Sequence, residues 1–227
     1  MPNNCKSKKS KTNVVVISSL HQFHKDHDAY GYDALYDLIG SFNPEYIGIE
    51  IRKEDISLAE EYLKNIYSQE MIEINRNNPE KVFGVDWFEQ DLEGKQTPAD
   101  YFQKSRVIQL MGKLNEDAVL PNKIQSLNEK KIELIKSSAP SCLYNGEYDS
   151  LCEEVARLQA KWLVNTPYRE LVLHREERNE KMAKNIEEFV KDRKPGNVVI
   201  VVGADHRGPI MKKLIKNPTI ELNSLEI

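Results

Sequence analysis

Short runs of β-branched residues, each closed by polar or turn-forming positions, alternate with helical spacing early in the chain and return near its end. They predict strands at Asn13–Ser19, Tyr46–Ile51, Val82–Val85 and Asn197–Val202. Leu35, Leu38 and Ile39 predict a helix over Ala29–Phe42 that Asn43-Pro44 ends. Leu58, Tyr62, Leu63 and Ile66 predict another over Asp55–Gln69. Strands alternating with helices imply an α/β fold with a largely parallel central sheet flanked by helices. Crossovers of one hand bring all these strand ends to one edge.

The middle of the chain lacks a strand signal. Thr97-Pro98 reads as a capped helix start, and further helices are predicted at Pro121–Ser137 and Glu147–Trp162. A long return helix begins after Thr166-Pro167 and runs to Lys191. The stretch over about 97–165 is thus a helical insertion covering the strand C-terminal ends. Gly208-Pro209 opens a last helix, Ile210 to Ile215. With no internal repeat or long linker, residues 13–227 read as a single domain, and residues 1–12 as a disordered basic arm.

Composition narrows the classes. Of 227 residues, 40% are hydrophobic and 30% charged, enough for a real core under a heavily solvated surface. The net charge of -4 gives no general attraction to nucleic acid or anionic lipid. No apolar run approaches the roughly 20 residues needed to cross a bilayer. Val14 to Leu20 is too short for a secretory signal. Cys5, Cys142 and Cys152 are odd in number and lack Cys-x-x-Cys spacing, which argues against a disulfide framework or zinc knuckle, and Cys142 and Cys152 read as ordinary thiols of a reducing, cytoplasmic protein.

Chemistry gathers where the predicted strands stop. The first runs into His21, the second into Glu50, the third into Asp86 and the last into Gly203-Ala204-Asp205-His206. Carboxylates and imidazoles are metal ligands and acid–base groups, and open α/β sheets bind ligands at this edge. Leu171, Arg175, Arg178, Met182, Ile186 and Phe189 lie within about 60° of one direction on a helical wheel. Two arginines therefore share an apolar stripe, with Asn179 beside them. A buried arginine needs an anionic or carbonyl partner, and Glu50 and Asp86 are the candidates.

With these residues assembled, the chain resembles the TraB/GumN-type family, which includes the Tiki metalloproteases. More distantly it is similar to the erythromycin esterase and ChaN-like superfamily. The resemblance rests on Ser18-Ser19-Leu20-His21, on NPEYIGIEIR with Glu50, on REERNEKMAKNI with Arg175, Arg178 and Asn179, and on VVIVVGADHRGPI with Gly203 and His206. Ser18 departs from the family's Gly at the first motif. The resemblance implies metal-dependent hydrolysis, with His21, Glu50 and His206 holding a divalent ion (manganese, cobalt or zinc). Arg178 and Asn179 would organise that site, and His24 and His27 are lesser candidates.

Alternative readings follow from the same residues. A metal-dependent hydrolase of peptide, ester or amide bonds would use Asp86 or Glu50 as general base, with Arg178 binding a substrate carboxylate or stabilising the oxyanion. An esterase-like hydrolase without metal would use His21 or His206 as base, with Glu50 orienting it. A binding protein without turnover would take haem, iron or a small anion, with His21 or Tyr30 on the haem. A module that binds partners through its long helices ranks last, since stripes such as Leu151, Val155, Leu158 and Trp162 suit a core. The expected partner is a small-molecule or peptide substrate, not nucleic acid or membrane, and a homo-oligomer stays open.

Overall fold

The computed structural model describes residues 10–117, 120–137 and 140–225. Most of the expected basic arm, with Cys5, lies outside the described residues. The described chain runs β1 (Thr12–Ser19), α1 (Tyr32–Ser41), β2 (Tyr46–Arg52), α2 (Glu60–Leu63), α3 (Gln69–Asn77), β3 (Val82–Asp86), α4 (Tyr101–Lys104), α5 (Arg106–Asp117) and α6 (Asn122–Ser137). It continues with α7 (Glu147–Leu163), α8 (Arg169–Lys191), β4 (Asn197–Gly203), α9 (Ala204–Leu214) and β5 (Ile220–Leu222). The five strands form one parallel sheet in the order β3-β2-β4-β1-β5. Among the described residues no helix is long and apolar enough to cross a membrane.

Alternation along the strands builds two cores. Val15, Ile17, Ile47, Ile49 and Val201 pack with Leu35 and Ile39 of α1 and with Met71 and Ile74 of α3. Val14, Val16, Ile200 and Val202 face the other way, onto Met182 and Ile186 of α8 and Ile210 and Leu214 of α9. Both sheet faces are thus covered, which explains strands that are nearly continuous in Val and Ile.

This connectivity places a crevice. From β2 the chain leaves through α3 toward β3, whereas from β4 it leaves through α9 toward β5, in the opposite direction. β2 and β4 are neighbours whose exits diverge, which is where open α/β sheets bind ligands.

Three local expectations are corrected. The helix expected over Asp55–Gln69 is broken into turns and the short α2, and a new helix, α3, starts at Gln69. The cause is the Asp55 carboxylate, fully buried, which accepts hydrogen bonds from Thr97 N and Tyr67 Oη and so pins the chain as turns. Thr97 is correspondingly no helix cap: its hydroxyl also accepts from Arg52 Nη1 at 2.8 Å, and α4 begins only at Tyr101. The last helix starts at Ala204, directly after β4, with Pro209 inside it. The short edge strand β5 carried too little pattern to be foreseen.

The stretch of β1 beyond its short pairing with β5 is sealed by side chains. Tyr30 Oη donates to Ser18 O, Tyr144 Oη accepts from Ser18 N, and Arg207 Nε donates to Val16 O. These groups satisfy backbone atoms that would otherwise be buried unpaired.

β2 carries a bulge, since Ile49 pairs with Gly84 but Arg52 with Asp86. A Cβ on Gly84 would lie 2.5 Å from Ile51 O. Gly84→Ala is therefore expected to destabilise the fold by about 1–3 kcal/mol. Gly112→Ala, in mid-α5 with open space around it, should instead add up to about 1 kcal/mol. Urea denaturation of both variants measures the contrast, and equal shifts would show that the bulge tolerates a side chain.

Candidate functional site

Glu50 sits at the crevice, buried, with each carboxylate oxygen engaged. Oε2 accepts Gly203 N at 2.6 Å, tying β2 to β4, and Oε1 accepts Arg178 Nη2 at 2.8 Å. Burial works against its charge, but His206, Arg178, His21 and the Gly203 N–H outweigh it and hold the carboxyl at about 2.

Arg178 comes from α8 and spans the strand ends. Nε and Nη2 make a fork onto Asp86, at 2.8 and 2.9 Å, while Nη2 also serves Glu50. The ring of Phe88 lies 5.7 Å from its guanidinium carbon. Burial alone would lower the Arg178 pKa, yet the Asp86 and Glu50 charges raise it. Both carboxylates proposed from sequence as arginine partners fill that role.

The two histidines flank Glu50 and differ in their Nδ1 partners. His206, in the first turn of α9, places Nδ1 2.6 Å from Asn179 Oδ1, so the ring carries its proton there and presents a lone pair at Nε2. That Nε2 lies 3.7 Å from Glu50 Oε1 and 3.4 Å from Arg178 Nη1. Burial lowers the His206 pKa, against the opposing pull of Glu50.

His21 takes the opposite form. Its Nδ1 lies 2.9 Å from Glu70 Oε1, and Glu70 is fully buried. The same oxygen accepts Ser19 Oγ and Ser68 Oγ, at 2.6 and 2.7 Å. Burial opposes the charged ring, but the Glu70 hydrogen bond and the Glu50 and Glu70 charges raise it to about 9. Its backbone is left-handed, φ 51°, in the turn that swings the ring over β4. A Cβ on Gly203 would lie 2.5 Å from His21 Nε2 and 3.3 Å from Glu50 Oε2, so only glycine lets the two groups approach there.

Side-chain exposure of 38% for His21, 23% for Arg178 and 14% for His206 gives all three access to solvent. A groove of about 360 Å³ lies nearby, lined by Tyr67 and Gln69, the neighbours of Ser68, and by charged residues of α2 and α3.

His21, Glu50, Asp86, Arg178, Asn179 and His206 are thus brought together. Arg175 stands one helical turn away, its Nη1 donating to Gln159 Oε1 at 2.8 Å. His24 is buried and structural: Nε2 accepts Leu20 N at 2.8 Å and Nδ1 donates to Tyr30 O. His27 accepts the N–H groups of Ala29 and Tyr30. The Tyr30 hydroxyl is engaged in capping β1. Cys142 and Cys152 are buried, and burial pushes the Cys152 thiol up to about 12.

Glu70 escaped the sequence reading because the break before α3 was not foreseen. With α3 in place, the Glu70-Met71…Ile74 spacing on one helix face was the available signal.

Glu50 accepts the Arg178 guanidinium at the oxygen nearest His206, and a divalent ion there would oppose that charge. Among the described residues no group of three or more His, Cys, Asp or Glu side chains is spaced to hold a metal ion. Comparison with family models, with curated proteins and with solved structures finds no match.

His21's raised pKa means its stabilisation is complete below the unfolded value near 6.5 and is lost as pH rises through about 9. Glu70→Gln is expected to drop the His21 titration toward or below 6.5 and to shrink the stability gained in that window. NMR titration of the histidine ring protons, with denaturation at pH 6 and pH 9, checks both. A His21 midpoint near 6.5 in the parent protein would refute the Glu70 pairing.

Proposed function

We propose that the chain is a hydrolase of ester or amide bonds in which His206 activates water without a metal ion. The observation that carries this is the pair of imidazoles flanking Glu50, one kept neutral beside Asn179 and the other kept charged by Glu70. Environments that push two neighbouring pKa values apart divide the roles of base and acid.

In this scheme a carbonyl substrate enters over Gly203, with water beside His206 Nε2. Nε2 takes a water proton as the water oxygen bonds to the carbonyl carbon, and the π pair moves onto the carbonyl oxygen. Asn179 holds the ring and shares the Nδ1 proton of the imidazolium that forms. Arg178 Nη1, 3.4 Å from Nε2, lies next to the developing negative charge. His21, protonated at Nε2 and backed by Glu70, gives its proton to the leaving oxygen or nitrogen as the bond to it breaks. In this scheme Glu50 and Asp86 hold Arg178, and Glu50 also sustains the charge on His21, a supporting role in place of the ligand or base role expected from sequence.

Turnover is expected on activated small esters or short peptide amides in the presence of a chelator. It should rise as His206 loses its proton below pH 6.5 and fall as His21 loses its own near 9. His206→Ala should lower kcat by about 10²–10⁴-fold, with Asn179→Ala showing a smaller loss. Turnover abolished by chelation and restored by manganese or zinc would put the metal reading on His21, Glu50 and His206 in its place. No turnover on any ester or amide would end the hydrolase proposal.

A further inference from the structure

Arg175, one helical turn from the site, is a cation that the described residues leave without an ion-paired carboxylate. Its recorded partner is the neutral amide of Gln159, and no carboxylate of the described residues lies within ion-pair distance. The carboxylate that acts on it most strongly, Asp205, is already bound to Lys131 Nζ at 2.8 Å and to Tyr148 Oη at 2.7 Å. Arg175 is nevertheless only partly exposed, and burial lowers its pKa. A guanidinium has five donors, and keeping it half-desolvated on one neutral acceptor is costly unless something else completes it.

Helix geometry says where that guanidinium points. At about 100° per residue, Arg175 lies about 60° from Arg178 and about 40° from Asn179 around the α8 axis. Arg178 faces Glu50 and Asp86, and Asn179 faces His206, so Arg175 projects between these two directions. It is also about 4.5–6 Å nearer the α8 N-terminus. Arg178 meets the ends of β2 and β3 from this helix, while Met182 and Ile186 pack further down on the sheet. One turn earlier therefore places Arg175 past Arg178 along α8, on the side away from Met182 and Ile186. Gln159, from α7, holds the Nη1 side.

We infer that Arg175 receives a carboxylate of the substrate, so that this site favours ester or amide substrates with an acidic group near the scissile carbonyl. The planar fork suits a carboxylate bidentately, and a cation placed one turn from Arg178 would hold the acid end while the carbonyl lies at His206. The choice of substrate rests on the proposed hydrolysis. The binding of a carboxylate does not.

The test separates the two. Succinate, titrated calorimetrically into the full chain, is expected to bind, with affinity at least tenfold weaker in Arg175→Gln and intermediate in Arg175→Lys, which keeps the charge but loses the fork. Mono(4-nitrophenyl) succinate should be hydrolysed in preference to 4-nitrophenyl butyrate, and the preference should fall tenfold or more in Arg175→Gln. If neither ester turns over, the hydrolase proposal fails and the succinate titration alone decides the present one. Absence of succinate binding, or equal binding by parent and Arg175→Gln, overturns it. Should circular dichroism show that the Gln variant is unfolded, the Lys variant makes the same comparison, and unchanged affinity there overturns it equally.

Discussion

One guanidinium holds the working edge of this protein together. Arg178, carried on α8, bridges the carboxylates at the ends of two adjacent parallel strands, Glu50 of β2 and Asp86 of β3. Without it, two buried anions would face each other beside an imidazole, and removing one partner of such a cluster typically costs about 3–5 kcal/mol. The same contact docks α8 on the sheet and fixes the register of Asn179, the next residue, against His206. Position of the helix and preparation of the site are thus one interaction.

Around that centre the sheet supplies asymmetry. The crevice opens between β2 and β4 because their exits diverge, and Gly203 N closes onto Glu50 across it. The two histidine-bearing turns resemble each other in sequence but are not equivalent in space. By register Ser19, not Ser18, lies beside Gly203, so the first histidine arrives on a strained turn one residue out of step. That offset lets Glu70 of α3 reach His21, while His206 stands on the first turn of α9 against Asn179. Different neighbours give like residues opposite charge states.

Much of this was legible in the residues. Runs such as VVVIS and VVIVV could only be strands buried on both faces, and the polar residue after each one marks the ligand edge. Arg178 was readable because a charge on an apolar helix stripe must find an anion, and Glu50 and Asp86 were named for it. What stayed hidden depended on long-range contacts. Asp55, Thr97 and Tyr67 break a helix that local spacing favoured, because a buried carboxylate gathers donors from 12 and 42 positions away. Glu70 was lost with that helix, and Tyr30, which looked available as a ligand, is engaged on the edge of β1.

Local pattern, then, determined the class of fold, the strands, the edge at which chemistry collects and most of the side chains that meet there. These depend on hydrophobic period and on residue type, which the chain carries at every position. Tertiary structure alone decided which histidine is held charged, which carboxylates pair with Arg178, and that among the described residues no carboxylate forms an ion pair with Arg175. Those properties come from distances between residues far apart in the chain, and a Coulomb or hydrogen-bond energy has no value until such distances exist.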